Sequence, residues 1–225
     1  MKILSAEFVT SATGIDGVPR DATAQVAFVG RSNVGKSTLI NALVRRKIAR
    51  TSAAAGKTTF LNVYRVTIAG VPTTVRADGR PAGPGSTRHV QLIDLPGYGY
   101  ARGGAKNAKA FDALTREYFA GGGGSEDRPG PQAVVLAVDA RHPGLASDLE
   151  AMTWLRELGI PTTVVATKVD QVGKSRWLQT RREFENALAH PVLLLSATVG
   201  EGLKPLWQSI LGMLDGPPGT PSSDG

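Results

Sequence analysis

Three short clusters carry residue types that together could handle a nucleoside triphosphate. The first is Gly30-Arg31-Ser32-Asn33-Val34-Gly35-Lys36-Ser37, which fits the GxxxxGK[ST] pattern. Glycines in such a loop let backbone N–H groups converge on phosphate oxygens, and the helix that follows turns its positive end toward them. On this reading Lys36 reaches the β- and γ-phosphates and the Ser37 hydroxyl ligates Mg²⁺. The second is Asp94-Leu95-Pro96-Gly97. An acid at a strand end can hold Mg²⁺ through water, and the Gly97 N–H can meet a γ-phosphate. Alone, this tetrapeptide describes many ordinary turns; its distance downstream of a phosphate loop gives it meaning. The third is Thr167-Lys168-Val169-Asp170. A carboxylate there can accept hydrogen bonds from both N1–H and the 2-amino group of guanine. Adenine offers neither donor and would leave Asp170 unpaired. The Lys168 stem can cover the base plane. Ser196-Ala197, after Leu195, sits where a backbone N–H would meet guanine O6. For the third cluster the competing reading is a turn with an exposed Lys–Asp pair.

These clusters work only if strand ends bring them together, and the apolar pattern supplies such strands. Residues 25–29, 61–68, 90–94, 133–138, 162–166 and 192–195 read as six strands. Helices are expected over 37–44, 105–119, 176–189 and 203–214. One more should reach Leu158 from an N-cap at Ser147, with Glu150 as its capping-box partner. Alternation of this kind predicts an α/β fold in three layers, a six-stranded mostly parallel sheet with helices on both faces. The strands at 61–68 and 90–94, joined without a helix, should supply an antiparallel edge. Residues 1–20 read as an N-terminal extension, 21–215 as the nucleotide-binding domain, and 216–225 as a disordered tail. A Gly/Pro-rich stretch over 72–88 reads as a flexible insertion, and 121–131 as a flexible connection.

Composition narrows the classes further. The chain has no Cys, which excludes disulfides, thiolate nucleophiles and Cys-based zinc sites. His89, His142 and His190 are too scattered to suggest a metal site. No apolar run is long enough for a membrane span, and the start lacks the apolar stretch of a secretory signal, so a cytoplasmic location without membrane contact is expected. The net charge of +7 is unevenly placed: no acidic residue lies between Asp21 and Asp78, an interval holding Arg31, Lys36, Arg45, Arg46, Lys47, Arg50, Lys57, Arg65 and Arg76. That favours a polyanionic partner such as RNA, against the plainer reading of a solvated basic surface. Trp154, Trp177 and Trp207 fall in expected helices and read as packing residues, and Arg181-Arg182 as a solvated helix face.

With the clusters in this order, the chain looks like a translation-factor-class P-loop GTPase and more narrowly resembles the EngB/YsxC (YihA-type) family. The carrying residues are Val26 to Asn41, Ala49-Arg50-Thr51-Ser52, Asp94-Leu95-Pro96-Gly97-Tyr98-Gly99-Tyr100-Ala101 and Asp139-Ala140-Arg141-His142-Pro143. The resemblance implies GTP/GDP binding with Mg²⁺, GTP hydrolysis, and a role in assembling the large ribosomal subunit through rRNA and ribosomal protein. It also implies a link to cell division and septation; nothing requires more than a monomer. A nucleotide-gated binding module or septation scaffold, with hydrolysis incidental, is the alternative.

The family's switch segment, roughly Pro-Gly-Arg-Thr-Gln, aligns with Ala55-Gly56-Lys57-Thr58-Thr59, so Gly56, Lys57, Thr58, Thr59 and Phe60 join the nucleotide site and Thr58 becomes a third Mg²⁺ ligand. Lys36, Thr58 and Gly97 are then the catalytic set. Ala55 in place of Pro should loosen this segment, and Lys57 lacks the planar fork of Arg. Where many GTPases carry a water-orienting Gln after DxxG, this chain has Tyr98, so slow intrinsic hydrolysis is expected. Asn33 is a candidate K⁺ ligand by likeness to similar GTPases; the alternative is that it bonds the loop backbone.

Overall fold

Strands buried along their whole length need cover on both faces, and the two central strands of the computed structural model meet that condition. The model describes residues 2–21, 24–49, 60–71, 86–98, 114–120 and 130–215. Its elements are β1 (Lys2–Ala12), β2 (Ala24–Gly30), α1 (Lys36–Val44), β3 (Leu61–Val71), β4 (Ser86–Asp94), α2 (described over 114–120), β5 (Ala133–Asp139), α3 (Ala146–Glu157), β6 (Thr162–Thr167), α4 (Trp177–Leu188), β7 (Val192–Leu194) and α5 (Leu203–Asp215). Every residue of β2 and of β5 is buried.

One sheet holds all seven strands in the order β1-β3-β4-β2-β5-β6-β7. β4, β2, β5, β6 and β7 run parallel to one another, while β3 is antiparallel to both β4 and β1. The period-two alternation along β2 splits the core. Val26 and Phe28 pack with Leu39, Ile40, Leu206, Trp207 and Ile210 under α1 and α5. Ala27 and Val29 face the opposite layer, with Leu114 and Tyr118 of α2, Met152 and Leu155 of α3, and Phe184 of α4. The expected three-layer α/β fold is therefore present. Because later strands flank β2 on both sides, β4 on one and β5 on the other, the crevice beyond the carboxyl ends of β2, β4 and β5 is where such sheets bind ligands.

The sequence reading needs four corrections. The sheet has seven strands, not six, because β1 pairs with β3 through Ala6↔Val66 and Glu7↔Arg65. The N-terminal stretch assigned to an extension therefore includes the sheet edge, and β3 lies one strand inside it. Residues 86–88, placed in the insertion, belong to β4, where Arg88 pairs with Ile68; 72–85 lie outside the described residues. Finally, α3 begins before Ser147: its N-cap is Leu145, with no side-chain cap bond, so the capping box is not formed. The first part of the helix expected at 105–119, the connection over 121–129 and the tail after 215 fall outside the described residues. The three tryptophans do pack: Trp207 donates to the Leu43 carbonyl at 3.0 Å, Trp177 donates to that of Val172 at 3.0 Å, and Trp154 stacks edge-on with Phe119. Among the described residues no helix is long and apolar enough to cross a membrane.

Candidate nucleotide-binding site

The parallel pairing of β2 with β4 sets the register of the whole phosphate end. Phe28 lies opposite Asp94, and the ladder continues past both strands: Leu95 N–H donates to Phe28 O at 3.1 Å, and Ser32 N–H donates to Tyr98 O at 3.1 Å. The Asp94–Gly97 segment is thereby laid alongside the Gly30–Ser37 loop. Two glycines permit close approaches here, Gly30 to β5 and Gly97 to the loop. A Cβ on Gly30 would meet Ala137 O at 2.5 Å, and one on Gly97 would meet the Ser32 nitrogen at 2.5 Å. The Ser32 hydroxyl also donates to Gly97 O at 3.3 Å.

The loop turns through Asn33 (φ 63°) and Gly35 (φ 104°), both left-handed, and Gly35 hands over to α1 at Lys36. Lys36 is buried, and its Nζ donates to Gly30 O at 3.1 Å. Burial pushes its ammonium pKa down from the ordinary lysine value, with Asp94 pulling the other way. Ser37 Oγ donates to Asp94 Oδ2 at 2.9 Å. Burial pushes the Asp94 carboxyl up, partly offset by Lys36 and Ser37. Its second oxygen, Oδ1, is buried with no hydrogen-bond partner among the described residues. Oxygen donors of this kind suit a hard cation such as Mg²⁺, and a polyphosphate would supply the counter-charge that buried Lys36 needs. The residues fit both groups.

The opposite end of the crevice is built where β6 gives way to a short 3₁₀ turn, Val169–Gln171. The Thr167 hydroxyl donates to Val34 O at 2.6 Å and Val138 O at 3.0 Å, which ties this turn to the loop. Lys168 adopts a left-handed backbone (φ 60°), and its Nζ donates to Asn33 O at 2.7 Å and Asp139 Oδ2 at 2.9 Å. Asp170 stands exposed and accepts the Ser196 hydroxyl at 2.5 Å. Val169 N–H donates to Leu195 O at 3.1 Å, and Leu195 N–H to Ala166 O at 2.9 Å, so the segment Leu195-Ser196-Ala197 is fixed beside it.

The structure thus brings together Gly30 to Ser37, Asp94 to Gly97, Thr167 to Asp170 and Leu195 to Ala197. Gly56, Lys57, Thr58 and Thr59 lie outside the described residues; Phe60 is exposed at the entry to β3. Three residues, Asp148, Asp139 and Arg141, had no role assigned from the sequence. Tyr98 does not face the loop with its hydroxyl: it donates to Asp148 Oδ1 on α3 at 2.9 Å. Asp148 carries no sequence signal beyond being an acid in a helix's first turn. Asp139 and Arg141 stood out only as part of a family signature, with no task. The basic interval is partly neutralised, since Arg65 pairs with Glu7 at 2.9 Å and with Asp21, while Arg45, Arg46 and Lys47 remain exposed at the end of α1.

The sequence profile of the 50S ribosome-binding GTPase family matches residues 25–168. Among similar proteins, the probable GTP-binding protein EngB of Anaeromyxobacter sp. (strain Fw109-5) is 39% identical over 214 residues, covering 93% of this chain and 91% of that one. The probable EngB of Symbiobacterium thermophilum is 37% identical, covering 91% and 94%. Of solved structures, a probable GTP-binding protein engB superposes with a TM-score of 0.56 at 23% identity, over 85% of this chain and 98% of the other. The G domain of the T. maritima FeoB iron transporter gives 0.52 at 23% identity, with the same coverage. At these identities the superpositions speak for a shared P-loop GTPase fold alone.

Proposed function

The chain belongs to the 50S ribosome-binding GTPase family, among its EngB proteins, and from that premise we propose that it is a slow, nucleotide-dependent switch in large ribosomal subunit assembly. It is a GTPase: water attacks the γ-phosphate of GTP, and GDP and phosphate leave. In this reading Lys36 would bind the β- and γ-phosphates, Asp170 and the Leu195–Ala197 segment would hold guanine, and Ser37, Asp94 and Thr58 would hold Mg²⁺, which would supply positive charge to the phosphates. The observation that carries the switch reading is the extended β2–β4 ladder, which sets Gly97 directly against Ser32 of the phosphate loop. A γ-phosphate arriving there must contact or displace that segment, so its loss on hydrolysis changes what the segment touches.

Slow turnover follows from Tyr98, whose hydroxyl is spent on Asp148 and whose acidity burial suppresses further. A partner then completes the site. Asn33, exposed at the loop apex, is the candidate ligand of an activating K⁺, and equal turnover in KCl and NaCl would remove that role. The exposed Arg45, Arg46 and Lys47 suit the phosphates of rRNA. We place the protein in the cytoplasm as a monomer, with an associated requirement for normal cell division and septation. Co-sedimentation with ribosomal subunits in GTP, in GDP and without nucleotide tests this: GTP-dependent, salt-sensitive binding to the large subunit or its precursor is expected. Binding indifferent to nucleotide would overturn the switch.

A further inference from the structure

The Asp139–Pro143 motif takes no part in the roles given so far, yet it lies between two segments that do. Asp139 ends β5 opposite Thr167, which ends β6. Its carboxylate is almost wholly buried and fully engaged. Oδ1 accepts the Arg141 backbone N–H at 3.1 Å and Arg141 Nε at 2.8 Å. Oδ2 accepts Arg141 Nη2 at 2.6 Å and Lys168 Nζ at 2.9 Å. Each cation then reaches one step further. Lys168 Nζ donates to Asn33 O in the phosphate loop at 2.7 Å, and Arg141 Nη1 donates to Gln171 Oε1 at 2.9 Å. Gln171 shares its 3₁₀ turn with Asp170. Burial alone would push the Asp139 carboxyl up, but the hydrogen bonds from Arg141 and Lys168 outweigh it and hold the group well below the usual carboxylate range.

We propose that Asp139 and Arg141 are positioning residues for guanine recognition. Asp139 holds the Lys168 stem in place between the base and the phosphate loop, and Arg141, gripped by Asp139 through its planar fork, fixes the turn that presents Asp170. A free lysine samples many rotamers, and ordering its stem in advance removes that cost from nucleotide binding. The fork geometry matters because a lysine at 141 could not bond both Asp139 oxygens and Gln171 together. The inference rests on the reading of Lys168 and Asp170 as base-binding residues. Its rival is that the motif merely ties β5 to β6 and has no bearing on the base.

The base itself separates the two. Hypoxanthine lacks the 2-amino group of guanine, so the ratio of GDP to IDP affinity measures how well Asp170 is aligned. Dissociation constants for both nucleotides should be taken on the full chain, alongside melting temperatures. In Arg141→Lys the GDP preference should fall roughly tenfold, with IDP affinity falling less than GDP affinity because hypoxanthine brings only the N1–H donor to Asp170. Asp139→Asn should weaken GDP and IDP binding roughly tenfold through Lys168 and also lower the GDP preference through Arg141; in a Lys168→Met background only the fall in preference should remain. Asp170→Ala is the control that must abolish the preference. If it does and Arg141→Lys keeps the full preference, the proposal is overturned; so it is if the losses of IDP affinity in Asp139→Asn and Lys168→Met are fully additive. If Asp170→Ala leaves the preference intact, the base-binding reading itself fails and takes this inference with it. Should Asp139→Asn lower the melting temperature too far for titration, Arg141→Lys alone decides.

Discussion

The two ends of the crevice differ in how far the protein satisfies its own charges. At the end proposed to take guanine, Asp139 accepts four hydrogen bonds, Lys168 bridges it to the phosphate loop, and Asp170 is held by Ser196. At the phosphate end, Lys36 is buried against a single carbonyl, Asp94 is pushed toward neutrality, and one Asp94 oxygen has no partner among the described residues. The first arrangement is pre-organised, so the base meets groups already in place. The second reserves its strongest charges for a ligand that brings phosphate and a cation. On the proposed reading, specificity and switching are thus separated in space: the base end need not change with nucleotide state, and the phosphate end must.

The sharpest way to break this contrast is Lys36→Ala. Removing the ammonium takes away charge-assisted bonds that no neighbour can replace, and both GTP affinity and turnover should fall by about a hundredfold or more. Because Lys36 gains so little from the protein itself, the fold without nucleotide should shift by only about 1 kcal/mol in a denaturant titration. A large loss of stability together with preserved binding would mean that the phosphate end is as self-sufficient as the base end. Next in size is Asp94→Asn. GTP affinity should lose roughly tenfold of its enhancement by Mg²⁺, read as the ratio of dissociation constants with Mg²⁺ and with EDTA, while GDP-over-IDP preference stays put. An unchanged Mg²⁺ ratio would remove Asp94 from the metal site.

How much of this could be read from the chain alone follows the same physics. β2, β5 and β6 were legible because burial on both faces forces continuous apolar runs, and the phosphate loop because its backbone geometry demands Gly at fixed spacing. β1 was not. It is a sheet edge with solvent on much of its surface, and register shifts between Ile3 and Ser5 and between Phe8 and Thr10 interrupt the period of two on which strand recognition depends. At the site, Asp170 announced itself through its neighbours in sequence. The grip of Asp139 on Lys168 joins residues 29 positions apart, and that of Tyr98 on Asp148 residues 50 apart, so neither has a local signature.

Tyr98 offers the finest test, because it belongs to the phosphate end by sequence and is tied to α3 by its side chain. The Tyr98 hydroxyl supports one oxygen of a buried carboxylate whose other oxygen, Asp148 Oδ2, has no partner among the described residues. Burial pushes the Asp148 pKa up and nearby Asp139 adds to it, while the Tyr98 bond and Arg31 pull it down. Tyr98→Phe removes the bond and should raise that pKa further. A carboxyl whose folded-state pKa lies above its unfolded value costs stability as pH rises through the window between them, because the unfolded chain releases the proton more readily. The variant widens that window, so its cost should be about 1–3 kcal/mol near neutral pH. It should shrink as pH falls well below the ordinary Asp value of 3.8, where Asp148 is protonated in both states and the missing bond no longer supports a charge. Turnover with saturating GTP should stay within about twofold, because the lost hydroxyl faces α3 and not the reacting phosphate. A fall in turnover of tenfold or more, at unchanged stability, would instead put the Tyr98 hydroxyl in the hydrolytic machinery and erase the line drawn here between holding the segment and doing the chemistry.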